Sequence, residues 1–334
     1  MRFGLFGGAS ARRGMPAAES ARFYHDFIEY QVEAEALGFY GSFVTEHHFT
    51  KIGQISATLN LLTWIAARTT TLRLGTAVIV LPWHNPVLLA EQAATLDLLS
   101  GGRLDFGVGK GYRNNEFAGF AMPPGEAESR FEESLAVILK AFTSDEPFSH
   151  EGRYWRFDNI VVEPPPAQRP HPPLWMAASS AESIRSCARR GVNLLLDQFA
   201  APELIGERIA LYRRALEDAG HVFDRKRVAV ARNFWVASHA ADKEAALRRQ
   251  AQANQRLLDL SRGPASRPTS HILGYSDAPG AREAHALIGT PDEIAAKLDA
   301  LQRVGVDYVL LSGQGSRDNL RRFAHDIMPA FAGE

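Results

Sequence analysis

Cysteine is almost missing from this chain: one residue, Cys187, in 334. An internal disulfide is therefore excluded, and so is a zinc site built on several cysteines. A charge excess is missing too. Thirty-seven Lys plus Arg stand against 38 Asp plus Glu, a net charge of −1. That balance leaves no electrostatic footprint for nucleic acid or for an anionic membrane. No apolar stretch approaches the roughly 20 residues that cross a bilayer. The apolar run after Met1-Arg2 is too short for a signal-peptide core. Low-complexity tracts and repeats are absent. What is present is ordinary globular composition, 46% hydrophobic and 22% charged, with ample length for a large core. These features predict a soluble cytoplasmic protein.

Short apolar runs alternate with longer amphipathic segments. Strands are expected at Arg2–Phe6, Tyr40–Val44, Leu72–Leu81, Leu104–Val108, Leu174–Ala178, Asn193–Leu196, Val228–Ala237 and Tyr308–Leu311. Helices are expected at Glu19–Leu37, Ile55–Ala67, from Pro86 to near Gly101, Arg130–Phe142, Ala181–Arg190, Glu203–Ala219, Lys243–Leu260, Pro291–Val304 and Asp318–Phe331. Gly38, Gly191 and Pro86 stand where stops and starts are expected. Eight strands alternating with helices predict an α/β fold, a (β/α)8 TIM barrel spanning 1–334 as one domain. A doubly wound open sheet is the competing arrangement. A surface hairpin over Tyr154–Val162, with Pro-rich flanks, precedes strand five, and Arg262–Ala284 reads as a long loop after strand seven.

Barrel chemistry gathers where strands run into helices. Here those places carry Glu46-His47-His48-Phe49, Trp83-His84-Asn85, Gly109-Lys110-Gly111-Tyr112, Ala178-Ser179-Ser180 and Asp197-Gln198-Phe199. At least one of His47 and His48 is expected to serve as a hydrogen-bonding or acid–base imidazole. No metal is expected. Adjacent strand residues point to opposite faces, so neighbouring histidines chelate one ion poorly. Gly107-Val108-Gly109-Lys110-Gly111 is not a dinucleotide loop, because its third glycine comes one residue early. Its glycines still permit close backbone approach, and Lys110 can meet a phosphate. Ser179-Ser180-Ala181-Glu182 fits both a helix cap and an anion site. Trp83 and Trp235, near strand ends, are the tryptophans best placed for a pocket. Cys187 is expected to be a small buried hydrophobe.

Taken together, Met1–Phe6, Glu46-His47-His48-Phe49-Thr50, Gly75–Pro82, Gly102–Tyr112 and Ile288–Glu293 resemble the bacterial luciferase-like flavin-dependent monooxygenases, alkanal monooxygenase alpha chains among them. The resemblance implies a TIM barrel using reduced FMN supplied by a separate NAD(P)H:flavin reductase. It implies that O2 and a small organic substrate, such as an aldehyde or ketone, react through a flavin hydroperoxide. His47 and His48 take the catalytic positions. Glu46, Thr76, Ala77, Val78, Lys110, Gly111, Tyr112, Ala178, Ser179 and Ser180 take cofactor positions, with a non-prolyl cis bond at Ala77-Val78. Phe6, Trp83, Met176, Gln198 and Trp235 fall on the substrate side. The 262–284 loop corresponds to a lid, and a homodimer is implied. Gly109 replaces a reactive cysteine and Gln198 stands near a tryptophan position of the light-emitting members, which argues against light emission. A deazaflavin-dependent hydride-transfer enzyme and a non-catalytic flavin-binding subunit remain as alternatives.

Overall fold

The structure is a computed structural model, and it describes residues 1–261, 283–313 and 316–332. Twelve strands are found there: β1 Arg2–Gly7, β2 Gly41–Val44, β3 Arg73–Thr76, β4 Ile79–Val80, β5 Leu104–Gly109, β6 Phe148–Glu151, β7 Arg156–Ile160, β8 Leu174–Ala177, β9 Asn193–Leu196, β10 Val228–Val236, β11 Leu287–Gly289 and β12 Tyr308–Ser312. One sheet runs β11-β10-β12-β1-β2-β3-β5-β8-β9, with β4 on β5 and a further β9–β10 pairing that closes it. β3 and β4 occupy one position in the ring and β11 pairs alongside only the last three residues of β10, so the barrel has eight positions. The fold is the expected (β/α)8 barrel. Among the described residues, no helix is long and apolar enough to cross a membrane.

Two compact units are distinguished within the chain. One comprises Met1–Gly7, Glu33–Phe43 and Met176–Glu334. Its strands are parallel, β1 pairing with β12 from Arg2↔Tyr308 to Phe6↔Ser312, and β10 with β12 from Ala229↔Tyr308 to Asn233↔Ser312. Phe323 lies edge-on to Phe3 at 5.2 Å and to Phe234 at 5.6 Å. Gly4 is required here, since a Cβ would sit 2.7 Å from the Tyr308 hydroxyl and 2.8 Å from the Gly41 carbonyl. The helix Pro291–Arg303 opens on a capping box of Thr290 and Glu293. The expected last helix is divided into Arg317–Asp326 and a 3-10 turn, Met328–Phe331. Pro329 has no N–H to continue the α-helical ladder.

The second unit comprises Gly8–Val32 and Val44–Trp175. The expected third strand, Leu72–Leu81, is instead two pieces, β3 and β4. They are separated at Ala77-Val78, whose peptide bond is cis. The helix Pro86–Leu99 starts at its proline as expected, with Asn85 Oδ1 accepting from the Val87 and Leu88 N–H groups. The hairpin β6–β7 starts at Phe148, before the expected Tyr154. Its turn is held by Glu133, which accepts N–H bonds from Arg153, Tyr154 and Trp155. That anchor lies on the helix Ala127–Thr143 and leaves no trace in the alternation of the hairpin itself. Most of the expected lid loop, 262–282, lies outside the described residues.

Candidate functional site

β2 ends at Val44, and the chain then presents Glu46, His47 and His48 just beyond it. The Glu46 carboxylate is buried, 2% exposed. Its Oε1 accepts from His48 Nε2 at 2.9 Å and from His84 Nε2 at 2.7 Å. Its Oε2 accepts from the Val80 N–H at 2.7 Å. Burial works against its charge, yet the two imidazoles and the Val80 N–H hold its pKa below the ordinary carboxylate value. Both oxygens are thus engaged by protein donors. Glu46 anchors two imidazoles and the end of β4, and what it offers a ligand passes through them.

His47 turns to a different partner. Its Nδ1 lies 3.0 Å from Glu116 Oε1. The same oxygen accepts from the His48 backbone N–H at 3.0 Å. Burial pushes the His47 pKa below its ordinary value. Glu116 opposes that effect, and the nearby Arg113 guanidinium adds to it. The Tyr112 ring meets the His47 ring edge-on at 6.3 Å. Arg113 is itself buried and donates to Gln54 Oε1 at 2.8 Å. The two imidazoles thus engage separate carboxylates, Glu116 and Glu46.

Further along, two glycines of β5 let it pack closely against the Thr76–Val78 segment. A Cβ on Gly107 would fall 1.8 Å from the Thr76 carbonyl oxygen, and one on Gly109 would fall 2.5 Å from Val78 Cγ2. The Thr76 hydroxyl is closed on Gly107, donating to its carbonyl at 2.7 Å. Thr76, Ala77 and Val78 therefore offer backbone and small side chains rather than a free hydroxyl. Gly111 has φ +80°, and a Cβ there would crowd Val80 at 2.9 Å and Trp83 at 3.1 Å. Trp83 stacks on Phe120 at 5.0 Å and meets Phe117 edge-on at 4.7 Å. Its buried indole N–H has no hydrogen-bond partner among the described residues. A buried donor left unpaired is costly, so this N–H is suited to a ligand's acceptor. Lys110 is exposed and forms an ion pair with Glu128.

The remaining predicted residues belong to the other unit. Ser180 caps the helix Ala181–Arg189 in a reciprocal box with Ser183, so its hydroxyl is already engaged. Ser179 precedes it beside the positive end of that helix, where an anion is favoured. Ala178 is buried, and its N–H donates to the Leu195 carbonyl. Gln198 sits in a turn fixed by Asp197, whose carboxylate accepts from the Phe199 and Ala200 N–H groups and from Arg208. Phe6 and Met176 are half-buried on β1 and β8. Trp235 donates its N–H to Asp242, carries Arg249 over its face at 4.7 Å, and packs on Ala246, Ala286 and Ile288. Its surroundings are those of a packing residue. Cys187 is fully buried and its thiol is pushed up to about 12 by burial, an inert small hydrophobe. Sequence reasoning missed Glu116, Arg113 and the part His84 plays.

Comparison with known proteins agrees with this architecture. An uncharacterized protein of Sinorhizobium fredii, y4vJ, is 34% identical over 56% of this chain and 53% of its own length. That match spans about half the length of the relative. The oxygenase component of the flavin-dependent trigonelline monooxygenase of Acinetobacter baylyi is 25% identical over 99% of this chain and 96% of its own. Among solved structures, monooxygenase RslO1 from Streptomyces bottropensis aligns with TM-score 0.87 and 26% identity, covering 99% of this chain and 100% of that one. Residues 1–308 match the family described as luciferase-like monooxygenase. The chain belongs to that family.

Proposed function

We propose that the chain is the oxygenase component of a two-component flavin-dependent monooxygenase. It takes reduced FMN from a separate NAD(P)H-dependent reductase and uses O2 to oxygenate a small organic molecule such as an aldehyde or ketone. The observation that carries this reading is the arrangement around His47 and His48. Two imidazoles at one strand end are each tied to a buried carboxylate, and one is kept from charging by burial. That arrangement holds and moves protons, and it does so beside a wall of backbone and glycine. The unpaired Trp83 N–H suits an acceptor on a flat, acceptor-rich ring.

When bound, reduced FMN supplies the electrons that activate O2. The chain's own residues do the rest. The Thr76–Val78 backbone supports the ring, and Gly111 lets the chain pass close to it. Lys110 gives the phosphate a positive charge. His47 and His48 orient the reacting groups and carry a proton. Trp83 lines the substrate side. A homodimer belongs to this proposal, because the helices Thr58–Arg68 and Pro86–Leu99 leave Trp64, Leu88, Leu98 and Leu99 exposed.

Two measurements test the reading. Anaerobic protein is loaded with photoreduced FMN, mixed with oxygen, and the flavin spectrum is followed. Reoxidation much slower than that of free reduced FMN is expected. Reoxidation at the free rate, or tight binding of a reduced deazaflavin with none of FMN, would overturn the proposal. Lys110→Ala is expected to weaken reduced-FMN binding by about 1.5–3 kcal/mol, the range of a hydrogen bond to a charged group. Reduced riboflavin, which has no phosphate, should bind the variant and the parent alike. Unchanged FMN affinity in the anaerobic titration would place the phosphate away from Lys110.

A further inference from the structure

The short helix Asn114–Gly119 grips the segment that carries the histidines. Asn115 Nδ2 donates to the His48 carbonyl at 3.3 Å and to the Phe49 carbonyl at 3.4 Å. Glu116, 1% exposed, reaches the His47 ring and the His48 backbone with one oxygen. A backbone N–H can only donate, so Oε1 is an acceptor toward His48. A carboxylate oxygen is an acceptor toward His47 as well, which requires the proton on Nδ1. The neutral ring then keeps its lone pair on Nε2. Among the described residues, Nε2 has no hydrogen-bond partner.

We infer that Glu116 is a positioning residue: it fixes His47 as the Nδ1–H tautomer and thereby makes Nε2 the proton-accepting atom of the site. In the accepting step an N–H bond forms at Nε2, the bond to that proton in the donor breaks, and the donor keeps the electron pair. Glu116 then balances the imidazolium. The groups facing His47 are Glu116 and Glu46, which favour its charge, Arg113, which opposes it, and the edge of the Tyr112 ring. Burial decides the resting state, a neutral ring near pH 7. The identity of the proton donor rests on the oxygenase reading. The tautomer does not.

The test is 15N-detected NMR of the full chain with labelled histidine, His47 being assigned through His47→Gln. The wild-type ring should carry its proton on Nδ1 throughout the neutral range. Glu116→Gln keeps an acceptor oxygen and should keep the tautomer, while the His47 midpoint falls by about 1 pH unit or more. The acid limb of the turnover profile should fall with it. Glu116→Ala should let the Nε2–H form appear. A wild-type ring protonated on Nε2, or a Glu116→Gln variant with an unmoved midpoint, would overturn the inference even if the Ala variant fails to fold. Failure to bind FMN would leave these spectra unchanged, so the two readings fail separately.

Discussion

Glu46→Ala is expected to cost the folded protein about 3–5 kcal/mol, the range found when one partner of a buried charged cluster is removed. Three donors lose their acceptor together: His48 Nε2, His84 Nε2 and the Val80 N–H. The Val80 N–H cannot turn to water without moving β4, because Val80 is buried and paired in register with Gly109. Glu46→Gln should cost less, about 1–3 kcal/mol. Its amide still accepts on one side, but its NH2 group must face a donor on the other. The pH dependence has a definite sign. The folded pKa of Glu46 lies below the ordinary value, so its contribution is complete above about 4.5. It is lost as pH falls through the folded value. Urea unfolding at pH 7 and at pH 4 should therefore show a gap between wild type and variant that narrows in acid. An alanine variant as stable as wild type at pH 7 would show that the cluster is not anchored by Glu46.

His47 and His48 were legible because of where they stand, at the end of a short apolar run followed by a break in periodicity. Their partners were not. Glu116 lies 69 positions after His47, in a six-residue helix with no apolar stripe to announce it. His84 stands between a tryptophan and a helix-opening Asn-Pro, where it resembles a surface residue. Closing the barrel wall brings them to Glu46 and His47, and spacing along a chain does not record that closure. The fold was more legible, since strand alternation and stop residues are local. Failures fall where a local signal is overridden or too short. The run Thr76–Val80 is continuously β-branched or small, yet the chain breaks in its middle. β11 has three residues, fewer than alternation can mark. Lys110 stands out in the sequence by its charge, and in the structure that charge is paired with Glu128, a competitor for any anion offered to it.

Replacing Arg103 separates what the Gly102–Tyr112 motif does for the fold from what it does for the site. Arg103 is buried, and its guanidinium closes the end of the helix Thr58–Arg68. Nη2 donates to the Ala66 and Thr69 carbonyls at 3.0 Å, and Nη1 to the Leu72 carbonyl and the Thr69 hydroxyl at 2.9 Å. Nε reaches the Ser100 carbonyl at 2.7 Å. The last carbonyls of a helix have no partner within it, and here one planar fork supplies two of them, Ala66 and the capping Thr69. Two positions on, Asp105 takes a two-pronged bond from Arg73. The first half of the motif thus holds a helix and two strands together, and the half from Gly107 onward reaches the site. Arg103→Ala is expected to destabilise the fold in urea unfolding by about 1–3 kcal/mol for each buried acceptor it leaves unpaired. Arg103→Lys should recover little of that, because an ammonium cannot match five donors in a fixed plane. Both variants, assayed well below their unfolding midpoints, should retain the reduced-FMN affinity of wild type. A lysine variant of wild-type stability would mean that charge alone closes the helix. A loss of flavin affinity without loss of stability would extend the site along the whole motif.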